Sequence, residues 1–396
     1  MSNILILGAG VYQVPLIKQV SMRGFNAIVV SPKGDYPGLE IADVWIDSDV
    51  RDYNSILSQI KDIDISGVIT TGSDVSIFSL AIISNILSVT SLSIGAARNA
   101  TDKILMKNKL IEGGVSTPSF FLVNNLIDIV NHTSGNLENF ILKAPDLSGS
   151  RGVIRLSEFN LTSAFEECFS SSKSDYLILE EYITGIEFGA QAAVQNNQLV
   201  FFAPHEDLVY EEYGVSVPIA HSLPMINIDS QVQDKAKQIL LDAISALGLN
   251  DCFINADFIV KDEEVYLIEV GARAGATCLP EICSLYYNSN FYDAIIDLSL
   301  GNDIRCYFDN PSSNYIWGEL LISNENGIIS SLPSLSIDDL PFLLKYSLDV
   351  KHGDRVRKFR VGPDRIGQFI AEFKDPQEAQ ANLDFIRSKL SIECKK

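Results

Sequence analysis

Two acids, Asp257 and Glu269, each interrupt an apolar, strand-like run in the segment Asp257-Phe-Ile-Val-Lys-Asp-Glu-Glu-Val-Tyr-Leu-Ile-Glu269. The spacing predicts a hairpin closed by a three-residue loop at 262–264, which sets the two acids directly opposite each other. A slip of one residue would send them to opposite faces. Opposed like charges destabilise a sheet, and acids inside apolar strands are costly to bury unpaired. A divalent cation between them removes both objections. Hard oxygen ligands favour Mg²⁺, which keeps waters and takes further ligands from nucleotide phosphates. Arg273, two residues past Gly271, is placed to hold a carboxylate or phosphoryl group through its fork of donors.

Three lysines, Lys103, Lys107 and Lys109, fall within seven residues of an otherwise acidic chain. With Thr101 as N-cap, Lys103 lies in the first turn of a helix and Lys107 one turn later on the same face. A first-turn lysine opposes the helix dipole, and a phosphate bound there would reconcile the two. Next, Phe140-Ile-Leu-Lys143 ends an apolar strand in a lysine, and the small loop Ser148-Gly149-Ser150-Arg151-Gly152 follows. Such loops let backbone N–H groups approach phosphates closely. Leu177-Ile-Leu-Glu180-Glu181-Tyr-Ile183 is a strand ending in paired acids, with Glu187 just beyond. That end could meet an adenine edge and a ribose. Taken singly, these segments read equally well as a solvated helix, a surface hairpin and a solvated strand end.

Other features invite over-reading. Gly8-Ala-Gly10-Val-Tyr-Gln13 starts like a dinucleotide fingerprint, but Gln13 replaces the third glycine and no acid follows about 20 residues on. It reads as a tight turn after a first Rossmann-like strand. His205 and His221 read as structural residues, Tyr210-Glu-Glu-Tyr213 as a solvated loop, and Cys278 and Cys283 as packing. Arg355, Arg357, Arg360 and Arg365 form a basic cluster that either receives an anionic substrate or offsets nearby acids.

The elements that must position these residues fall into three units. Residues 1–100 alternate strand and helix: strands at Ile4–Leu7, Ala27–Val30 and Gly67–Thr70, helices at Val14–Met22, around Ile56–Ile60 and at 75–87. This predicts a parallel sheet covered on both faces. Residues 101–305 read as an α+β domain with antiparallel sheets and a helix of period 3.6 ending at Gly248. Residues 306–396 form a smaller α+β unit whose last helix opens at Asp375-Pro376-Gln-Glu378, with Asp375 as N-cap and Glu378 completing a capping box.

At 396 residues, 46% hydrophobic, the chain has ample core for such units, and a net charge of −21 argues against nucleic-acid phosphates or anionic lipid as partners. No basic segment precedes the first apolar run, so a signal peptide is not expected. The apolar stretch Ile77–Val89 is too short to span a bilayer, which needs about 20 residues. Six cysteines without a CxxC pair read as reduced thiols in a cytoplasmic protein.

In order and spacing, Thr-Asp-Lys103, Lys143, Ser-Gly-Ser-Arg-Gly152, Glu180-Glu181-Tyr-Ile183, Glu187, Asp257 and Glu269-x-x-x-Arg273 resemble the ATP-grasp superfamily over most of the chain. The resemblance implies a fold of α/β and α+β parts. These are a Rossmann-like pre-ATP-grasp domain (1–100), a two-lobed ATP-grasp domain with antiparallel sheets (101–305, lid subdomain about 115–185) and a small C-terminal α+β domain (306–396). It casts Lys103 and Lys143 as nucleotide-phosphate ligands and Ser148, Gly149, Ser150 and Gly152 as a lid. It makes Glu180, Glu181 and Ile183 the adenine and ribose hinge, with Glu187 nearby. Asp257 and Glu269 become ligands to one or two Mg²⁺ ions, Mn²⁺ being an alternative metal, and Arg273 the group facing the reacting acyl phosphate. The family's Glu-x-Asn is here Glu269-Val-Gly271, which removes a side-chain amide from the second metal site.

The implied function is an ATP-dependent ligase. It activates a small carboxylate, an amino acid by preference, as an acyl phosphate and joins it to an amine, releasing ADP and phosphate. Two alternatives stand beside it: an ATP-grasp enzyme using bicarbonate, as in carboxylases and carbamoyl-phosphate synthetases, and a nucleotide-binding member without catalysis. The partners are then small-molecule carboxylate and amine substrates, with neither nucleic acid nor membrane. The oligomeric state stays open, although relatives of this architecture are often dimers.

Overall fold

Alternate side chains of the first strand, β1 (Asn3–Leu7), feed two different layers: Leu5 and Leu7 enter one core, Ile4 and Ile6 the other. Two-sided burial is what a short, uniformly apolar strand in a parallel sheet requires. The computed structural model describes residues 2–147, 152–212, 215–333 and 340–395. Strands β2 (Asn26–Ser31), β3 (Val44–Asp47) and β4 (Ile65–Ile69) complete the parallel sheet in the order β3-β2-β1-β4. Helices α1 (Val14–Met22), α2 (Tyr53–Ile60) and α3 (Ile77–Leu87) lie where the periodicity puts them. Strand β3 has no expected counterpart; it is an edge strand with Val44 and Trp45 exposed, so it lacks an apolar run. Helix α3 is largely buried, and among the described residues no helix is long and apolar enough to cross a membrane.

Helices α4 (Ile94–Thr101) and α5 (Lys103–Glu112) abut at Asp102. Asp102, rather than Thr101, caps α5: its carboxylate accepts from the Ile104 and Leu105 N–H groups at 3.0 Å. The Thr101 hydroxyl is already committed to the Ala97 carbonyl inside α4. An ionised acceptor at the N-cap also satisfies the dipole. Lys103 becomes the first helical residue.

A second sheet, β5-β8-β6-β7, is built from β5 (Phe120–Val123), β6 (Phe140–Lys143), β7 (Val153–Arg155) and β8 (Leu177–Glu181). Helices α6 (Leu126–Thr133) and α7 (Leu161–Ser171) back it around a separate core containing Val123, Leu142, Ile154, Leu177 and Leu179.

The largest sheet runs β13-β12-β9-β10-β11-β14-β18-β16. Its strands are β9 (Ile186–Gln195), β10 (Gln198–Glu212), β11 (Val215–Leu223), β12 (Cys252–Lys261), β13 (Glu264–Gly271), β14 (Tyr315–Leu321), β16 (Leu343–Leu348) and β18 (Gly367–Phe373). Strands β14, β18 and β16 extend this sheet beyond β11, so residues on both sides of position 306 share it. A small sheet of β15 (Gly327–Ser331), β17 (Arg355–Val356) and β19 (Glu393–Lys395) flanks it. Tyr210 lies within β10, its ring edge-on to Phe359 at 5.5 Å, where a solvated loop was expected; Tyr213 lies outside the described residues.

Helix α8 (Ser230–Leu247) ends at Gly248, whose φ of +72° is the left-handed cap that glycine favours. It covers one face of the sheet, where Phe188, Ala190, Ala192, Ile254, Ala256 and Phe258 are buried. Helices α9 (Leu279–Tyr286) and α10 (Phe291–Ser299) carry Cys283 and Phe291 into the second large core. At the last helix, α11 (Pro376–Lys389), Asp375 caps the Glu378 N–H as expected, while the Glu378 carboxylate reaches the Lys374 N–H, one residue beyond a capping box.

Candidate active site

The sheet face away from α8 carries the chemistry. In register across four strands stand His205 (β10), Gly189 (β9), Asp257 (β12) and Glu269 (β13). Asp257 and Glu269 are direct partners, as the spacing predicts, but the route differs. The loop is two residues, Asp262 and Glu263, both at positive φ, so Val260 pairs with Val265 and Phe258 with Leu267. A β-bulge then absorbs Ile268 and restores the pairing of Asp257 with Glu269. The buried side switches accordingly, from Val265 and Leu267 to Val270 and Ala272. Without that extra residue Glu269 would face α8.

Asp257 is exposed on this face, yet the surrounding protein desolvates its carboxyl; that, with Glu269 opposite, pushes it up to about 7. Desolvation raises Glu269 as well, but Lys103, 2.7 Å away, outweighs it and holds the carboxyl at about 2. Asn255 donates to Asp257 at 3.0 Å and accepts from Gln191 at 2.6 Å, and Gln191 in turn accepts from the Gly275 N–H. The sheet thus presents two opposed oxygen donors on a polar scaffold, one ionised and one close to neutrality. A hard divalent cation fits this donor set, because it favours ionised carboxylates and relieves their repulsion.

Lys107 and Lys143 both meet Glu180 rather than solvent. Lys107 lies 2.9 Å from one carboxylate oxygen and 2.8 Å from the Thr117 hydroxyl, while Lys143 takes the other oxygen. Glu180 is 2% exposed. Burial pushes the Lys107 ammonium down; it pushes Glu180 up, and the two lysines reverse that shift and hold it below its usual range. Glu180 is thus the shared partner of two lysines. Lys107 escaped attention because a buried lysine cannot be told from a solvated one by spacing alone.

Arg273 lies on the same face as Glu269 and Gly271. Its Nη2 donates to Asp74 Oδ2 at 2.9 Å, while its buried Nε and the buried Asp74 Oδ1 have no hydrogen-bond partner. Asp74 comes from the loop after β4. The Gly72 N–H donates to the Ala274 carbonyl at 3.1 Å and the Thr71 hydroxyl approaches the Gly275 carbonyl, so that loop is fastened to the end of β13. A Cβ at Gly271 would come within 2.8 Å of Asp74 Oδ1. The sequence offered no signal for Asp74, which is separated from Arg273 by 199 residues.

The remaining expected residues lie on other elements. Ser148, Gly149 and Ser150 lie outside the described residues; Gly152, at φ +63°, accepts from the Ala144 N–H and closes the base of that loop. Glu181 is exposed and accepts from the Ser119 hydroxyl at 2.9 Å, Ile183 is buried, and Glu187 lies in register with Ile259 on β12. Gln13 fills the glycine turn: its Oε1 accepts from the Gly10 N–H and its Nε2 donates to the Thr71 carbonyl. The Gly10 N–H, which a phosphate would need, is thereby taken by Gln13. His205 and His221, taken singly as structural, meet at Asp207 Oδ1 with Nδ1 distances of 2.7 and 2.6 Å. Of the basic cluster, Arg355, Arg357 and Arg365 line a cavity of about 1080 Å³ with Lys18 and Lys345, and Arg365 is paired with Asp349.

Residues 100–277 match the ATP-grasp domain family, and residues 319–395 match the L-amino acid ligase C-terminal domain 2. A phosphoribosylglycinamide synthetase structure from Anaerococcus prevotii is 31% identical, covers 100% of both chains and has a TM-score of 0.81. An L-amino acid ligase structure from Bacillus licheniformis has a TM-score of 0.83 over 100% of this chain and 99% of that one; at 15% identity it speaks to fold alone. Among curated proteins, the phosphoribosylamine–glycine ligase of Methanococcus vannielii is 24% identical over 249 residues. The chain spans 54% of that ligase, and 12% of the Vibrio vulnificus carbamoyl phosphate synthase large chain, to which it is 32% identical over 133 residues.

Proposed function

This chain belongs to the ATP-grasp family, and on that premise we propose that it is an ATP-dependent carboxylate–amine ligase. It turns a small carboxylate, an amino acid by preference, into an acyl phosphate and transfers the acyl group to an amine, releasing ADP and phosphate. The observation that carries the reading is the convergence of Asp257, Glu269, Lys103 and Arg273 at one end of the β12–β13 hairpin.

In this reading Asp257 and Glu269 hold Mg²⁺, with Mn²⁺ able to replace it. The bound metal supplies charge neutralisation to the nucleotide phosphates. Lys103 and Lys143 exchange their carboxylate partners for phosphate oxygens, and Glu180 keeps Lys107 and Lys143 aimed until then. Ser148, Gly149, Ser150 and Gly152 close over the phosphates and keep water from the acyl phosphate. Glu181 and Ile183 border the adenine and ribose, with Glu187 beside them. Arg273 orients the carboxylate for in-line attack, so most of the rate enhancement comes from positioning and charge. No side chain has to act as a nucleophile. The division at about residues 100 and 305, a cytoplasmic location and a homodimer belong to the same proposal; the free cysteines suit a reducing compartment.

Release of ADP from MgATP, screened against pooled carboxylates with and without amines, tests it. Turnover only with a carboxylate–amine pair is the expected result. Turnover with bicarbonate alone would instead favour a carboxylase-type activity, and tight ATP binding without turnover a catalytically silent binder. Glu269→Gln should abolish ADP release while leaving the fold intact; unchanged turnover would remove Glu269 from the metal site.

A further inference from the structure

The basic cluster of the C-terminal unit divides in two. Arg365 is 8% exposed and fully committed: its Nε and Nη2 donate to the two oxygens of Asp349 at 2.6 and 3.3 Å, and its Nη1 to Gln368 at 2.7 Å. It offsets an acid. Arg355 and Arg357 offset none: both are exposed, and among the described residues their side chains have no hydrogen bond or ion pair. Lys18 on α1 and Lys345 on β16 are exposed and unpaired in the same way. All four line the cavity of about 1080 Å³ that Arg365 borders. We propose that this cavity binds a small molecule carrying a phosphate group, anchored by Arg355 and Arg357.

The acids of the lining are engaged elsewhere. Asp349 is held by Arg365, Asp364 accepts from the Arg360 and Val361 N–H groups at 3.2 and 3.3 Å, and Glu281 accepts from the Tyr292 hydroxyl at 2.8 Å. In a chain of net charge −21, a hollow lined by five cations and three engaged acids reverses the sign locally. A cleft of one sign with low-dielectric walls focuses the field inside it, and Val11, Val14, Leu285 and Ile370 supply such walls. Arg355 and Arg357 flank Val356, which is buried in a small core with Ile329 and Ile366. An extended chain sets their Cα atoms about 7 Å apart with both side chains on one side. Two guanidinium forks at that spacing can share the oxygens of one phosphate. A carboxylate balances one guanidinium, whereas a phosphate monoester carries about −1.5 to −2 at pH 7 and suits both. Lys18 belongs to the first unit and Lys345 to the C-terminal one, so a ligand here meets both ends of the chain. A smaller hollow shares Arg365, Gln368 and Glu281 with the cavity and borders Gly275–Thr277, just past Arg273. Two sources therefore share the chemistry: the amine substrate of the ligase reading, with its charged end in the cavity, and an effector.

Calorimetric titration of the whole protein with inorganic phosphate and with O-phosphoethanolamine, beside ethanolamine as the phosphate-free control, tests the site. Saturating Mg²⁺ and a non-hydrolysable ATP analogue are present throughout, which occupies the residues assigned to nucleotide phosphates. The phosphate compounds should bind saturably and more weakly as salt rises, and ethanolamine should not bind. The double variant Arg355→Gln/Arg357→Gln should weaken that binding by about tenfold or more, the loss that removing charge-assisted hydrogen bonds brings. Lys345→Gln, on a different strand, should weaken it too, and it carries the test if the double variant does not fold. No saturable binding of either phosphate probe, equal binding of ethanolamine, or binding unchanged in the arginine variant would each overturn the proposal. ADP release separates the two sources. If O-phosphoethanolamine serves as the amine where ethanolamine does not, with KM raised in the double variant, the cavity receives the amine substrate. If it changes the rate with another amine and is not consumed, the cavity takes an effector. Failure of the ligase reading looks different: arginine-dependent phosphate binding with no carboxylate-dependent ADP release.

Discussion

Glu180→Gln isolates one electrostatic unit and nearly preserves shape. The carboxylate is the common partner of Lys107 and Lys143, and the side chains are 3%, 6% and 15% exposed respectively. At an effective dielectric of about 20, a single pair at the Lys107 distance of 2.9 Å attracts by about 6 kcal/mol. Desolvation of both ions offsets most of that, so the pair contributes little net stability. Removing only the anion strands two ammonium groups instead, and breaking a buried pair this way costs about 3–5 kcal/mol.

The cost should depend on pH with a defined sign. Glu180 is held below its ordinary value, so its contribution is present above about pH 4.3 and disappears as pH falls through the depressed value. The difference between wild type and variant should therefore vanish in acid. Burial already pushes Lys107 down, and losing Glu180 pushes it further, so the variant's folded state sheds its proton before the unfolded chain does. The variant then gains stability as pH rises towards 10. Urea denaturation at pH 9.5, at pH 7 and well below pH 4, past the depressed value, reads both arms. A loss at pH 7 below about 1 kcal/mol, or one that does not change with pH, would refute the view that these three groups form a buried, mutually dependent unit.

Two other perturbations bear on the same face of the protein. In the presence of EDTA, Asp257→Asn should raise Tm more at pH 8 than at pH 5: the folded carboxyl titrates at about 7 against about 3.9 unfolded, so wild type loses stability across that window and the amide does not. Equal gains at both pH values would contradict the crowding of Asp257 by Glu269. Gln13→Gly should cost about 1–3 kcal/mol, because the Gly10 N–H and the Thr71 carbonyl lose buried partners; calorimetry reads the loss. Titration of this variant with NAD should show no binding, and binding would mean that Gln13 alone masks a dinucleotide site.

How much of this was legible in the sequence depended on whether a signal was local. The parallel sheet of the first unit, α8 with its glycine stop and the opposed acids all follow from periodicities of two and 3.6. The opposition of Asp257 and Glu269 survived an error in its derivation. The two-residue turn shortened the loop by one, and the bulge at Ile268 put the residue back. Neither half was predictable, since the turn lacks the Asn-Gly that usually marks it. Edge strand β3 and the continuation of the large sheet through β14, β18 and β16 were missed because strand order is a long-range property. The same reason hid Asp74 from Arg273 and joined two histidines, read singly, at Asp207.

Charge pairing across the cleft gives these misses a common physical meaning. Lys103 has Glu269, Arg273 has Asp74, and Lys107 and Lys143 share Glu180. Each cation that could meet a phosphate is thus already desolvated, oriented and neutralised. A polyanion would then exchange partners and would not have to drag free ammonium groups out of water, the more expensive step. Glu180 takes two lysines, while Asp257 has no ion pair among the described residues; desolvation, with Glu269 opposite, pushes its carboxyl up to about 7. The site is short of positive charge at one place, between the paired strands. A divalent cation is the addition that balances it. In a chain of net charge −21, that deficit marks the functional acids more clearly than their number does.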